Sequence, residues 1–250
     1  MKKEKFSCQR EGLTIRGHIW GSTELPKPVV ILCHGFMANE KTCHTYAKLL
    51  AEMGHTAVTF DFCGGGLGTK SDGKSENMTL LTEKKDLLAV IRYIKEQPYA
   101  DPARISLLGC SQGGFVAALT AKELGNDIES LILFYPAFCI PDDARRGKMM
   151  FFKFDPENIP EILGSFPIKL SGEYAKCVID MDPYEEISGY CGRTLYIHGT
   201  ADDLVNISYA RRGKEVYPDC RYEEIQGGGH GFQGKYDKQA CEILKNFMKL

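Results

Sequence analysis

No stretch of this sequence stays apolar long enough to cross a bilayer. Runs such as residues 29–33 are short, and a spanning helix needs about 20 apolar residues. Neither sign of charge is in excess: 31 Lys and Arg stand against 33 Asp and Glu, a formal net charge of −2. The electrostatic footprint of a nucleic-acid binder is therefore missing, and neither nucleic acid nor membrane is expected as a partner. The ten cysteines, at 8, 33, 43, 63, 110, 139, 177, 191, 220 and 241, include no C-x-x-C pair and follow no regular spacing. That pattern argues against zinc, and no metal or cofactor is expected. Met1-Lys-Lys-Glu-Lys-Phe6 leads into polar residues, with no apolar stretch behind it. A secretory leader is not expected, and the cysteines read as reduced core thiols of a cytoplasmic protein. Repeats and low-complexity tails are also missing.

What is present is an ordinary globular composition: 250 residues, 43% hydrophobic and 26% charged, enough to bury a full core. Short apolar runs alternate with amphipathic ones. Residues 6–9 and 13–20 read as two antiparallel edge strands joined at Glu11-Gly12. Further strands are expected at 29–33, 56–60, 104–108, 130–135, 194–197 and 221–225. Helical spacing marks 41–53, 80–96, 115–124, 208–217 and 235–250. Strands alternating with helices imply an α/β fold with a mostly parallel, twisted sheet covered on both faces. Ligands bind such sheets beyond the carboxyl ends of the strands. The alternation breaks between 136 and 192, a stretch rich in proline and charge. Residues 1–135 and 193–250 are expected to form one core domain. Residues 136–192 form an insertion that folds over the active site as a lid, or else a peripheral decoration.

The chain is organised around Gly109-Cys110-Ser111-Gln112-Gly113, of the form G-x-S-x-G, followed by Gly114. Taken alone, this can be a Gly-rich turn that holds a serine by accident. Here a buried strand precedes it and a helix follows, which is the context that lifts a serine clear of the backbone. The flanking glycines leave room where side chains would collide. A serine hydroxyl needs a base, and the base needs an orienting carboxylate. Of the six histidines, His18 lies in a strand, His44 and His55 flank a helix, and His34 and His198 precede glycines at strand ends, where they suit structural roles. His230, in Gly227-Gly-Gly-His-Gly231, sits in a small-residue loop after the last strand and is the expected base. Asp202 follows the 194–197 strand and is the expected acid; Asp203, its rival, reads as a capping or solvated residue. The order Ser111, Asp202, His230 is that of the α/β-hydrolases. The oxyanion needs two backbone N–H donors, expected from Gln112 at the helix start and Phe36 in the loop after the 29–33 strand. Cys110 is expected to turn its side chain away from the pocket.

A second motif competes. Gly68, Gly73, Lys74 and Ser75 fit G-x-x-x-x-G-K-[ST], the phosphate-binding loop. The preceding strand, however, ends near Phe62, and Glu76-Asn77 delays the helix whose N-terminus should meet a phosphate. Asp72 places negative charge inside the cradle. A nucleotide-binding module on residues 68–75 remains a remote alternative.

Together, His34-Gly35-Phe36, Asp61-Phe62 with the Gly-rich stretch from Gly64 to Gly73, the serine turn, His198-Gly-x-x-Asp202-x-x-Val205 and Gly229-His230-Gly-Phe232 resemble the small bacterial cinnamoyl/feruloyl esterases of the α/β-hydrolase superfamily. The likeness spans nearly the whole chain. It implies an α/β-hydrolase fold with a lid-like insertion at 136–192 and hydrolysis of hydroxycinnamate esters. It gives Ser111, Asp202 and His230 the triad roles and places Phe36 and Gln112 at the oxyanion hole. It also puts Gly35 and Asp143 at the substrate, with Asp143 matching an acidic residue that contacts the phenolic hydroxyl. Cys110 stands where many relatives have His, and Asn206 where Pro often follows Val. Met149-Met150 occupies the region of a second polar contact, which implies a weaker hold on the phenol and broader acyl tolerance. A short-chain carboxylesterase or a peptidase of the same fold is the alternative. A catalytically dead partner protein is disfavoured, because all three triad residue types are present in order. A homodimer is compatible with the sequence.

Overall fold

The computed structural model describes residues 2–165 and 168–249; Met1, Phe166, Pro167 and Leu250 lie outside the described residues. The main sheet is built from β1 (Lys3–Arg10), β2 (Leu13–Trp20), β3 (Lys27–Cys33), β4 (Thr56–Phe60), β5 (Ala100–Cys110) and β6 (Ser130–Phe134). The insertion adds two hairpins, β7 (Lys148–Met149) with β8 (Phe152–Lys153) and β9 (Ile162–Ser165) with β10 (Ile168–Ser171). Strands β11 (Arg193–Gly199) and β12 (Cys220–Ile225) then complete the sheet, in the order β1-β2-β4-β3-β5-β6-β11-β12. The β1–β2 and β2–β4 pairs are antiparallel. From β4 to β12 every neighbour is parallel.

The inner parallel strands are largely apolar where both of their faces are covered, whereas the edge strand β12 carries Arg221, Glu223 and Glu224 and is mostly half-buried. In β3, Val29, Ile31 and Cys33 join one core layer, while Val30 and Leu32 join the other. The first layer is closed by α2 (Leu80–Lys95) and α3 (Gln112–Leu124), the second by α1 (His44–Glu52) and α8 (Lys235–Met248). A Thr79–Thr82 capping box fixes the start of α2. In the insertion, α4 (Ile140–Arg145), α5 (Glu173–Lys176) and α6 (Pro183–Ile187) accompany the hairpins; α7 (Ile207–Gly213) links β11 to β12.

Three expectations need correction. Strand β2 is not an edge strand, since it pairs with β1 on one side and β4 on the other. The close approach of β4 is possible because Gly17 has no side chain to strike the Thr59 carbonyl. Strand β5 starts earlier than residue 104: Ala100 already pairs with Lys27, and the register then shifts before Val29 meets Ile105. Pro102, which has no N–H to donate, falls inside that irregular stretch. The expected helix 41–53 divides into a 3₁₀ turn, Glu40–Cys43, capped by the Asn39 side chain, and α1.

Candidate active site

Strand β5 runs into α3 through Ser111, whose φ of 54° and ψ of −122° lie outside the common regions for a residue with a side chain. The strain falls on the serine itself. The neighbouring glycines supply space: a Cβ on Gly109 would strike the Gly113 carbonyl, and one on Gly113 would strike that of His34. The turn is held by Ser111 N–H donating to Phe134 at 2.9 Å and by Ala137 N–H donating to Ser111 O at 2.9 Å.

Three side chains from three loops join at this point. His230 Nε2 lies 2.9 Å from Ser111 Oγ, and His230 Nδ1 lies 2.8 Å from Asp202 Oδ2. Asp202 Oδ1 accepts the N–H groups of Leu204 at 3.0 Å and Val205 at 2.8 Å. Burial raises its carboxyl, but hydrogen bonds from His198, His230 and the Val205 N–H outweigh this and hold it below the usual carboxylate range. An ionised Asp202 keeps the Nδ1 proton on His230 and leaves Nε2 to take the hydroxyl proton. Asp203 is exposed and makes no hydrogen bond among the described residues. Tyr135, at a φ of 39°, packs against the His230 ring with centroids 4.8 Å apart.

Phe36 and Gln112 line the same cavity as Ser111, and their amide N–H groups have no acceptor among the described residues. The fully buried His34 explains how the Phe36 amide is aimed. Its Nδ1–H donates to Gly35 O at 2.8 Å, and its Nε2 accepts the Phe62 N–H at 3.1 Å. Fixing the Gly35 carbonyl on one side of the peptide turns the Phe36 N–H to the other. Gly35 backs directly onto the serine, since an added Cβ would lie 3.1 Å from Ser111 Cβ.

The site opens into a cavity of about 500 Å³. Its apolar wall comes largely from the insertion, through Ile140, Met149, Met150, Leu170 and Tyr174. Asp143 also lines it; burial raises its carboxyl, with Lys148 and Arg146 pulling the other way. Cys110 borders the cavity but is buried in the core layer that holds Cys43, Phe134 and Tyr135. All ten cysteines are unpaired. Asn206 accepts the Ser208 N–H at 2.9 Å and caps α7, a role its short amide side chain suits.

Residues 68–75 are committed elsewhere. Asp72 bonds the Arg16 guanidinium at 2.7 Å and the Thr14 N–H at 2.9 Å, and the Lys70 N–H donates to Asp61. A single 3₁₀ turn, Ser75–Asn77, follows the loop, and the next α-helix begins only at Leu80. Among the described residues, no three His, Cys, Asp or Glu side chains converge as a metal site, and no helix is long and apolar enough to cross a membrane.

Sequence reasoning missed three contributors. His198, fully buried, donates through Nε2 to Val205 O at 2.9 Å and lies 3.3 Å from Asp202 Oδ2, so it supports the carboxylate as well as the loop. Its spacing of four residues from Asp202 was a usable signal. Glu83 and Tyr174 both bond the Gln112 side chain, and no motif marks either.

A family model described as "Serine aminopeptidase, S33" matches residues 24–173, more than half of the chain. The chain belongs to that family. Its fold is the α/β-hydrolase fold, shared with solved structures along nearly its full length. The structure described as "Ferulic Acid bound to Est1E from Butyrivibrio proteoclasticus" has a TM-score of 0.89 and 29% identity, covering 97% of each chain. Est1E without that description of a ligand has a TM-score of 0.86 and 26% identity, covering 98% of this chain and 97% of the other. Among curated proteins, an uncharacterized 31.7 kDa protein in the traX-finO intergenic region of Escherichia coli is 34% identical over 88 residues, 35% of this chain and 30% of that protein. The chain thus matches about a third of the length of the curated relatives first found. An uncharacterized peptidase, YtmA of Bacillus subtilis (strain 168), is 21% identical over 173 residues, 67% of this chain and 63% of that one.

Proposed function

We propose that this chain is a serine carboxylesterase that cleaves hydroxycinnamate-type esters through an acyl-enzyme on Ser111. The observation that carries the reading is the contact chain Ser111 Oγ, His230, Asp202, in a cavity also lined by Phe36 and Gln112, whose amide N–H groups have no acceptor among the described residues. In this reading His230 Nε2 takes the hydroxyl proton as Ser111 Oγ bonds to the ester carbon. The Phe36 and Gln112 N–H groups receive the oxyanion. As the tetrahedral centre collapses, the C–O bond to the alcohol breaks and His230 returns the proton to the departing oxygen. Water, deprotonated by the same imidazole, then releases the acid. The likeness to Est1E, whose structure was described with ferulic acid, supports an aromatic acyl group. So does the apolar wall of Ile140, Met149, Met150 and Leu170 with Asp143 beside it. The family's description as an aminopeptidase and the likeness to YtmA support a second reading, amide cleavage by the same residues.

A substrate panel tests the proposal: methyl ferulate, p-nitrophenyl acetate and an aminoacyl p-nitroanilide, each with wild type and Ser111→Ala. The proposal expects ester turnover with methyl ferulate preferred, and loss of turnover in the variant. Faster cleavage of the anilide would favour the peptidase. Ester turnover retained by folded Ser111→Ala would end both readings.

A further inference from the structure

We propose that Tyr174, Gln112 and Glu83 form a buried positioning relay through which the insertion holds both arms of the oxyanion hole. The inference rests on the reading above, in which the Phe36 and Gln112 N–H groups receive the oxyanion. Tyr174, on α5, donates its O–H to Gln112 Oε1. The Gln112 amide donates to Glu83 Oε2 at 2.7 Å and reaches the Met78 sulfur at 3.8 Å. All three relay residues are buried. Gln112 therefore commits its side chain to the protein and leaves its backbone N–H for the pocket.

The other arm leans on the same two residues. The Tyr174 ring packs edge-on against Phe36, centroids 6.0 Å apart. Glu83 Oε1 lies against Gly65, where an added Cβ would come within 2.9 Å of it. The Gly65 carbonyl accepts the N–H of Met37, the residue after Phe36, at 3.0 Å. One carboxyl on α2 thus backs both the helix that carries Gln112 and the loop that carries Phe36.

Glu83 forms no salt bridge among the described residues, and its Oε1 has no hydrogen-bond partner. The titratable groups around it are Asp86 on its own helix, Cys33 on β3 and Tyr174 on α5. Arg10 on β1 is committed to Asp86 at 2.7 Å. A buried carboxylate without a counter-ion is costly, and burial raises the Glu83 carboxyl well above its usual range. Glu83 Oε2 is the acceptor that holds the Gln112 amide. A donor displaced by a fraction of an ångström costs rate more than binding.

The test uses Tyr174→Phe, Glu83→Ala and Glu83→Gln, with active sites titrated by a fluorophosphonate. Tyr174→Phe and Glu83→Ala are expected to lower kcat per titrated site about tenfold to a hundredfold, part of the loss seen when an oxyanion donor is removed. KM for p-nitrophenyl acetate should stay within about twofold, as for an interaction made in the transition state. A trifluoromethyl ketone, which forms the tetrahedral adduct, should weaken by the same factor as kcat. Glu83→Gln, neutral and similar in shape, should restore kcat. It should also change the pH dependence of stability. The folded wild type keeps a proton that the unfolded chain releases, so its stability falls as pH rises above the ordinary carboxylate range; the Gln variant escapes that fall. If Glu83→Ala does not fold, Tyr174→Phe and Glu83→Gln decide. Wild-type kcat in Tyr174→Phe, or a change confined to KM, overturns the relay. Failure of the wild type to label at Ser111 would refute the nucleophile instead, so the two failures are distinguishable.

Discussion

The cavity is made by two regions that are built differently. Ser111, Asp202 and His230 stand on turns that follow the parallel strands β5, β11 and β12, and main-chain bonds hold the first two in place. Ser111 N–H is tied to Phe134, and Asp202 accepts the amides of Leu204 and Val205. The facing wall belongs to the insertion, where the β7–β8 hairpin has strands of only two residues. Between them Phe151 is 76% exposed, beside the methionines that line the cavity. A rigid sheet fixes reacting atoms closely. Flexible methionines on a short hairpin fill space around ligands of varied shape. Under the proposed function, the contrast places chemistry at the strand ends and choice of substrate in the insertion.

Three substitutions test that assignment. The larger effect belongs to the strand ends. Asp202→Asn keeps the shape but loses the charge that orients His230, and kcat should fall about 10⁴-fold, as when a triad carboxylate is neutralised. Asp203→Asn, one residue away and exposed, should leave kcat within about twofold, as an exposed substitution outside the contact chain does. Steady-state kinetics on one ester decide both, and equal losses would erase the distinction between the two acids. The smaller effect belongs to the insertion. Met150→Gln adds a polar group on the cavity wall opposite the strand ends. For hydroxylated cinnamate esters KM should fall by about threefold to tenfold, the worth of one hydrogen bond, with kcat for p-nitrophenyl acetate unchanged. A matching loss of kcat on both substrates would mean that the hairpin takes part in the chemistry.

Much of the strand-end region was legible before any coordinates. The G-x-S-x-G turn, Asp202 after a buried strand and His230 in its glycine run each combine a residue type with a local secondary-structure signal. The inner strands of the main sheet are equally plain, because strands covered on both faces are largely apolar. What stayed hidden depends on contacts between distant segments. Glu83 looks like any acidic residue on an amphipathic helix until α3 packs over it. Tyr174 lies in a segment with no periodicity, and its partner is 62 residues away. His198 read as a loop support, and so it is, through Val205; its second contact with Asp202 follows only from the path of the turn. Strand β2 reads as an edge because antiparallel pairing with β4 leaves no mark in its sequence.

The central claim, that Ser111 is the nucleophile activated by His230, is tested most directly by mapping a fluorophosphonate adduct with peptide mass spectrometry. One equivalent bound at Ser111, with matching loss of ester turnover and no labelling of His230→Ala, is the predicted result. Modification at another residue, or full turnover by an enzyme already modified at Ser111, would contradict it.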